Sequence, residues 1–106
     1  MQAGPVAALQ AEIQQLAVDH WNGEYWPPLS NLARLTEELG EVARAVNQLH
    51  GHKRVKADEL PSDLEEELGD VLFVLLVLAG SLEVDMQAAF DRTLAKVRRR
   101  DIGLPK

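Results

Sequence analysis

Two four-residue segments of this chain carry nearly the same chemistry. Glu38-Leu39-Gly40-Glu41 and Glu67-Leu68-Gly69-Asp70 each place two carboxylates three residues apart. Residues at that spacing share one face of a helix, where like charges repel unless something positive sits between them. Glu37 adds an acid beside the first segment, and Asp63, Glu65 and Glu66 precede the second, so eight of the 17 acids fall in two short windows. Along the helical stripe of Glu67 and Asp70 come Val74 and Val77. A stripe charged at one end and apolar at the other points inward, where an unpaired carboxylate is costly and tends to hold its proton. Glu38 and Glu41 likewise stand next to the inward positions Leu39 and Val42. Two such helices face to face bring four carboxylates to one spot, and an oxygen-only set selects a hard cation, Mg²⁺ or Mn²⁺. The competing reading is a solvated acidic face near helix N-termini, where negative charge is favoured. It accounts for Glu65 and Glu66, but not for a quartet that occurs twice beside apolar neighbours. A di-iron carboxylate bundle needs Glu-x-x-His pairs, and neither quartet contains histidine. Gly40 and Gly69 sit in helix interiors at a cost of roughly 1 kcal/mol each against Ala, which predicts close approach of another helix or a ligand.

Four helices are needed to position these groups. The first is predicted over about 5–20, with Val6, Leu9, Ile13, Leu16 and Ala17 at the helical period. Asn22, Gly23, Pro27 and Pro28 break it. The second runs from an N-cap at Ser30 to His50, with Leu32, Leu35, Leu39, Val42, Val46 and Leu49 as its inward face and Gly51 as its stop. The third opens at Ser62, with Glu65 completing a capping box, and continues to about Leu82. From Val71 to Ala79 it is apolar on every side, so it should be central, covered by its own chain or by a second copy. The fourth starts near Asp85, buries Met86, Ala89, Phe90, Leu94 and Val97, and ends near Arg100. These elements predict an all-α fold, a four-helix bundle completed by homo-oligomerisation, with residues 1–106 as a single domain.

Composition narrows the function. The 106 residues hold no cysteine, which excludes disulfide scaffolds, thiol nucleophiles and thiolate metal sites, and fits a cytoplasmic protein. A net charge of −6 argues against a nucleic-acid polymer as partner, yet leaves room for a small polyanion whose charge is met by a metal. The longest apolar run is far short of the roughly 20 residues that span a bilayer, and the N-terminus shows no signal-peptide pattern, so no membrane partner is expected.

Taken together, Glu37-Glu38-Leu39-Gly40-Glu41 followed by Glu67-Leu68-Gly69-Asp70 resembles the Glu-Glu-x-x-Glu … Glu-x-x-Asp signature of MazG-like nucleoside triphosphate pyrophosphohydrolases. The resemblance runs from about Tyr25 to Asp101, through Leu32-Ala33-Arg34-Leu35-Thr36, Val71-Leu72-Phe73-Val74, and Lys96 with Arg100-Asp101. It implies an all-α homodimer or dimer of dimers and Mg²⁺-dependent hydrolysis of a (d)NTP to (d)NMP and pyrophosphate, a house-cleaning task on the nucleotide pool. It implies Glu38, Glu41, Glu67 and Asp70 as metal ligands, with Glu37, one residue off that face, either helping to bind a second metal or orienting the attacking water. Gly80 stands where similar members often carry Asn, as does the neighbourhood of Arg98, and both departures bear on base recognition. The related phosphoribosyl-ATP pyrophosphohydrolases share the reaction type. A non-catalytic helical oligomerisation module is the reading from a different class.

An acidic chain needs cations for such a substrate. Lys96, Arg99 and Arg100 form the strongest basic cluster and are candidates to hold the outgoing phosphates, against a solvated helix C-terminus. Lys53, with Arg54 and Lys56, is a second candidate on a loop. Trp26, with Trp21 and Tyr25, could stack on a base, against simple packing beside prolines.

Overall fold

Prolines at both early helix starts and acids at both later ones set where the chain coils. The computed structural model describes residues 2–51 and 63–100. Within them lie four helices and no strand: α1 (Pro5–His20), α2 (Pro28–His50), α3 (Leu64–Ser81) and α4 (Met86–Arg100). The all-α expectation holds, with shifted boundaries. α2 begins two residues before Ser30, because Pro28 takes a first-turn position, where its fixed φ suits the helix and its missing N–H costs nothing. α3 is capped by Asp63, whose carboxylate accepts the Glu66 N–H at 3.2 Å. Ser62 lies outside the described residues. Gly51 ends α2 in an extended conformation, φ −104°, so it does not act as a left-handed stop. The left-handed stop belongs instead to Glu83, φ 56°, after α3. There the Glu83 N–H reaches the Gly80 carbonyl at 3.2 Å and the Val84 N–H reaches Ala79 at 2.9 Å, the double bond of a Schellman motif.

α2 and α3 pack along their length as an antiparallel hairpin. α1 crosses α3, placing Ile13 against Leu76 and Val77, with Val6, Tyr25, Phe73 and Met86 around them. The chain then turns by 114° between α3 and α4, and α4 packs on α1. Glutamines fasten that contact. Gln87, buried in α4, accepts the N–H groups of Val6 and Ala7 at 2.6 and 3.1 Å. It thereby caps α1, whose own N-cap Gly4 has no side chain to do so. In return Gln10 of α1 donates to the Val84 carbonyl at 3.0 Å and accepts the Met86 N–H at 2.9 Å.

The largest departure from sequence expectation concerns α2. Its leucine stripe does not close a core: Leu32, Leu39, Val46 and Leu49 are exposed, while Asn31 and Ala45 are buried. α4 behaves similarly, burying Gln87 and leaving Phe90 and Val97 open. The physical reason is the number of layers. α3 covers one side of α2, and within the described residues no other helix packs on its leucine side. The outline is correspondingly flat, 47 × 46 × 22 Å, with a radius of gyration of 16.9 Å, against about 13 Å for a compact chain of this length. No single helix is long and apolar enough to cross a membrane.

Gln10→Ala should destabilise the protein by about 1–3 kcal/mol, since it leaves the Val84 carbonyl and Met86 N–H without their partner. Urea unfolding followed by circular dichroism measures this, and an unchanged midpoint would show that the clasp contributes nothing.

Candidate metal centre

Antiparallel packing runs the α2 numbering against that of α3, so the turn holding Glu38 meets the turn holding Glu67 and Asp70. Carboxylate oxygens of these three residues lie within 4.8 Å of one another. Glu38 and Glu67 are half-buried and Asp70 is exposed. Such a triad, oxygen-only and negatively charged, suits a hard divalent cation by donor chemistry. Glu41 stands outside the triad and pairs with Arg44 at 3.9 Å, yet its charge still reaches Glu67. The Glu67 carboxyl is pushed above the usual value first by desolvation, then by the charges of Glu41, Asp70, Glu38 and Glu66. Glu37 is exposed and one position off this face. Glu65 and Glu66 lie in the first turn of α3, where a helix favours acids. The glycine expectation fails within the chain: a Cβ added at Gly40 or Gly69 would meet nothing within 4 Å.

One to two turns along the same seam, away from the acids, a pocket of about 150 Å³ opens. Its walls are Trp21, Trp26, Asn31, Arg34, Phe73, Val74 and Val77. Trp21 is committed to packing, edge-on to Tyr25 and to Phe73 with both centroids at 6.4 Å. Trp26 is 59% exposed, and the Arg34 guanidinium covers its ring at 5.4 Å. Asn31, only 2% exposed, donates to the Trp26 carbonyl at 2.9 Å and so fixes the backbone that carries this indole. Behind them Tyr25 lies over Gly80, where any Cβ would come within 2.9 Å of the ring. The space a side chain at 80 would need belongs to Tyr25.

Sequence reading missed Asn31 and Arg34. Both lie on the helical stripe of Glu38, seven and four residues before it, and following that stripe toward the N-terminus would have found them. The basic cluster, by contrast, is not brought to the acids. Lys96, Arg99 and Arg100 are exposed on α4, beyond the 114° turn. At 1.5 Å rise per residue along each helix, they lie on the order of 20 Å from Glu67 in the same chain. Lys53 lies outside the described residues.

Residues 27–103 match the family model of the MazG nucleotide pyrophosphohydrolase domain. The chain is 47% identical over 93 residues to the protein YpjD of Bacillus subtilis, covering 88% of this chain and 83% of that one. The crystal structure of B. subtilis YpjD is similar with a TM-score of 0.77 at 44% identity, over 95% of this chain and all of that one. The structure of a Bacillus-conserved MazG protein, described as a nucleotide pyrophosphohydrolase, is similar with a TM-score of 0.73 at 39% identity, over 98% of this chain and all of that one.

The raised Glu67 carboxyl fixes the sign of a pH effect. Without metal, the folded protein holds this proton to higher pH than the unfolded chain does. Stability therefore falls as pH rises from the ordinary carboxylate range through the raised value. Glu67→Gln removes that loss. In chelator, its melting-temperature advantage over wild type should be absent in acid and grow toward neutral pH. An advantage independent of pH would show that charge repulsion at Glu67 is not its source.

Proposed function

The chain belongs to the MazG nucleotide pyrophosphohydrolase family and is a hydrolase, and from that premise we propose that it converts a (d)NTP and water to (d)NMP and pyrophosphate with Mg²⁺. The observation that carries this reading is the convergence of Glu38, Glu67 and Asp70 at one end of an aromatic pocket. These three, with Glu41 beside them, would hold the cation, with Mn²⁺ as a substitute. When bound, the ion would offset charge on the phosphates as the anhydride bond breaks. Glu37 is the family-implied residue to orient the water that attacks the α-phosphorus, and pyrophosphate leaves. The pocket is the place for the base. Val74 and Val77 form its floor, Trp21 and Phe73 its wall, and Trp26 supplies an open aromatic face. Holding base and phosphates at two ends of one seam fixes the reacting bond in place, which is where phosphoryl-transfer catalysis gains most.

The same reading includes a homo-oligomer, a dimer or dimer of dimers. Leu32, Leu39, Val46 and Leu49 of α2 with Leu68 and Leu72 of α3 leave a broad apolar face open. The accessible surface is 8110 Å², whereas a compact monomer of this mass exposes roughly 5,900 Å². A second copy on that face would take these apolar side chains out of water. It is also the way the phosphate-binding candidates Lys96, Arg99 and Arg100 would reach a carboxylate cluster, across the interface.

Incubation with Mg²⁺ and a panel of ordinary, modified and phosphoribosyl-linked nucleoside triphosphates should release pyrophosphate from at least one. Silence across the panel would remove the reading. Glu67→Gln and Asp70→Asn should each lower turnover roughly a hundredfold or more while helicity is retained. Light scattering should give a multiple of 11.7 kDa. A stable monomer at micromolar concentration would contradict the assembly.

A further inference from the structure

Among the described residues, one cation stands between the two halves of the seam. Arg34 lines the aromatic pocket and precedes Glu38 by four residues on α2, one helical turn of about 6 Å. Glu37 and Glu38 are both within reach along the helix, yet among the described residues Arg34 forms no ion pair. Its guanidinium turns the other way, onto Trp26 at 5.4 Å. A base seated in the pocket, with its polyphosphate at the carboxylates, would have to lay its ribose and α-phosphate across this turn. Among the described residues, Arg44 is engaged with Glu41, and the basic turn of α4 lies beyond the 114° corner.

We propose that Arg34 is an exchangeable clamp: it covers Trp26 in the empty pocket, and on binding a nucleotide it moves to the α-phosphate and leaves the indole face to the base. This rests on the reading of the seam as a nucleotide site. The exchange is favourable on physical grounds. A cation–π contact at an exposed indole is weak, whereas a planar guanidinium makes paired, charge-assisted hydrogen bonds to phosphate oxygens. The clamp makes base and phosphate binding interdependent. A nucleoside without phosphate must displace Arg34 from Trp26 and gives it no new partner. The 5′-monophosphate supplies that partner and is therefore favoured by more than its own charge, in a protein that is otherwise acidic.

The protein supplies its own reporter. Its two tryptophans, Trp21 and Trp26, both line the pocket, so intrinsic fluorescence reads its occupancy. Wild type, Arg34→Gln and Arg34→Lys would be titrated in Mg²⁺ with the four deoxynucleosides and with their 5′-monophosphates. Arg34 is exposed, so helicity should be unchanged in both variants. In wild type the best-bound monophosphate should bind roughly tenfold or more tightly than its nucleoside. In Arg34→Gln that ratio should fall to about one, because the monophosphate loses its partner while the nucleoside, with Trp26 uncovered, binds at least as tightly as to wild type, with Arg34→Lys between. The same ratio in Arg34→Gln as in wild type would overturn the clamp and leave the enzyme reading standing. Pyrophosphate release by wild type without any fluorescence response would also overturn the clamp alone. Neither response nor release would overturn the nucleotide site itself, and the clamp with it.

Discussion

Mutual repulsion among carboxylates is the constraint around which this molecule is arranged. Glu38, Glu67 and Asp70 share a space less than 5 Å across, with Glu41 near enough to push the Glu67 carboxyl upward. Nothing in the α2–α3 packing requires acids there, and apolar residues would hold the hairpin better. In the proposed function a hard cation held by these oxygen donors would offset that charge. The helix carrying Glu67 and Asp70 is anchored on both sides of them. Asp63 fixes the start of α3 two turns before Asp70, and Val74 and Val77 anchor the helix immediately after it.

The rest of the chain is a brace for that hairpin. α1 crosses α3, and α4 is tied to α1 by the paired glutamines, each satisfying backbone groups at the start of the other helix region. Asp85 strengthens the tie, its carboxyl held below the usual range by the N–H of Gln2 and then of Ala88. The brace covers only one side of the hairpin. The leucines of α2 stay open and the molecule is only 22 Å thin; in the proposed homo-oligomer a second copy would cover them and would be the route by which the α4 arginines approach the acids.

Pocket and cluster belong to one seam because both are built on the same helical stripes. Asn31, Arg34 and Glu38 follow one another on α2, and Asp70, Val74 and Val77 on α3. Polarity changes along the seam from charged to apolar within three turns, and the proposed nucleotide would lie along that gradient. Tyr25 closes the far side over Gly80, so a departure from the family pattern at that position is filled by a neighbour.

The sequence by itself determined the helices, the duplicated acids and the family, because each is a local pattern. Period 3.6 places Glu67, Asp70, Val74 and Val77 on one stripe whatever surrounds them, and Pro5 and His20 bound α1 as the breakers require. Inward faces were legible only where a helix has one partner side. α2 has apolar residues on one flank and the Asn31–Glu38–Ala45 stripe on another, and hydrophobicity alone picked the flank that this chain leaves open. Tertiary structure decided which stripe meets α3, and therefore that Arg34 and Asn31 stand in the site while Lys96, Arg99 and Arg100 do not reach it within one chain. The reason is geometric: a 114° turn and the register of two antiparallel helices are properties of packing between distant segments, which no local spacing encodes.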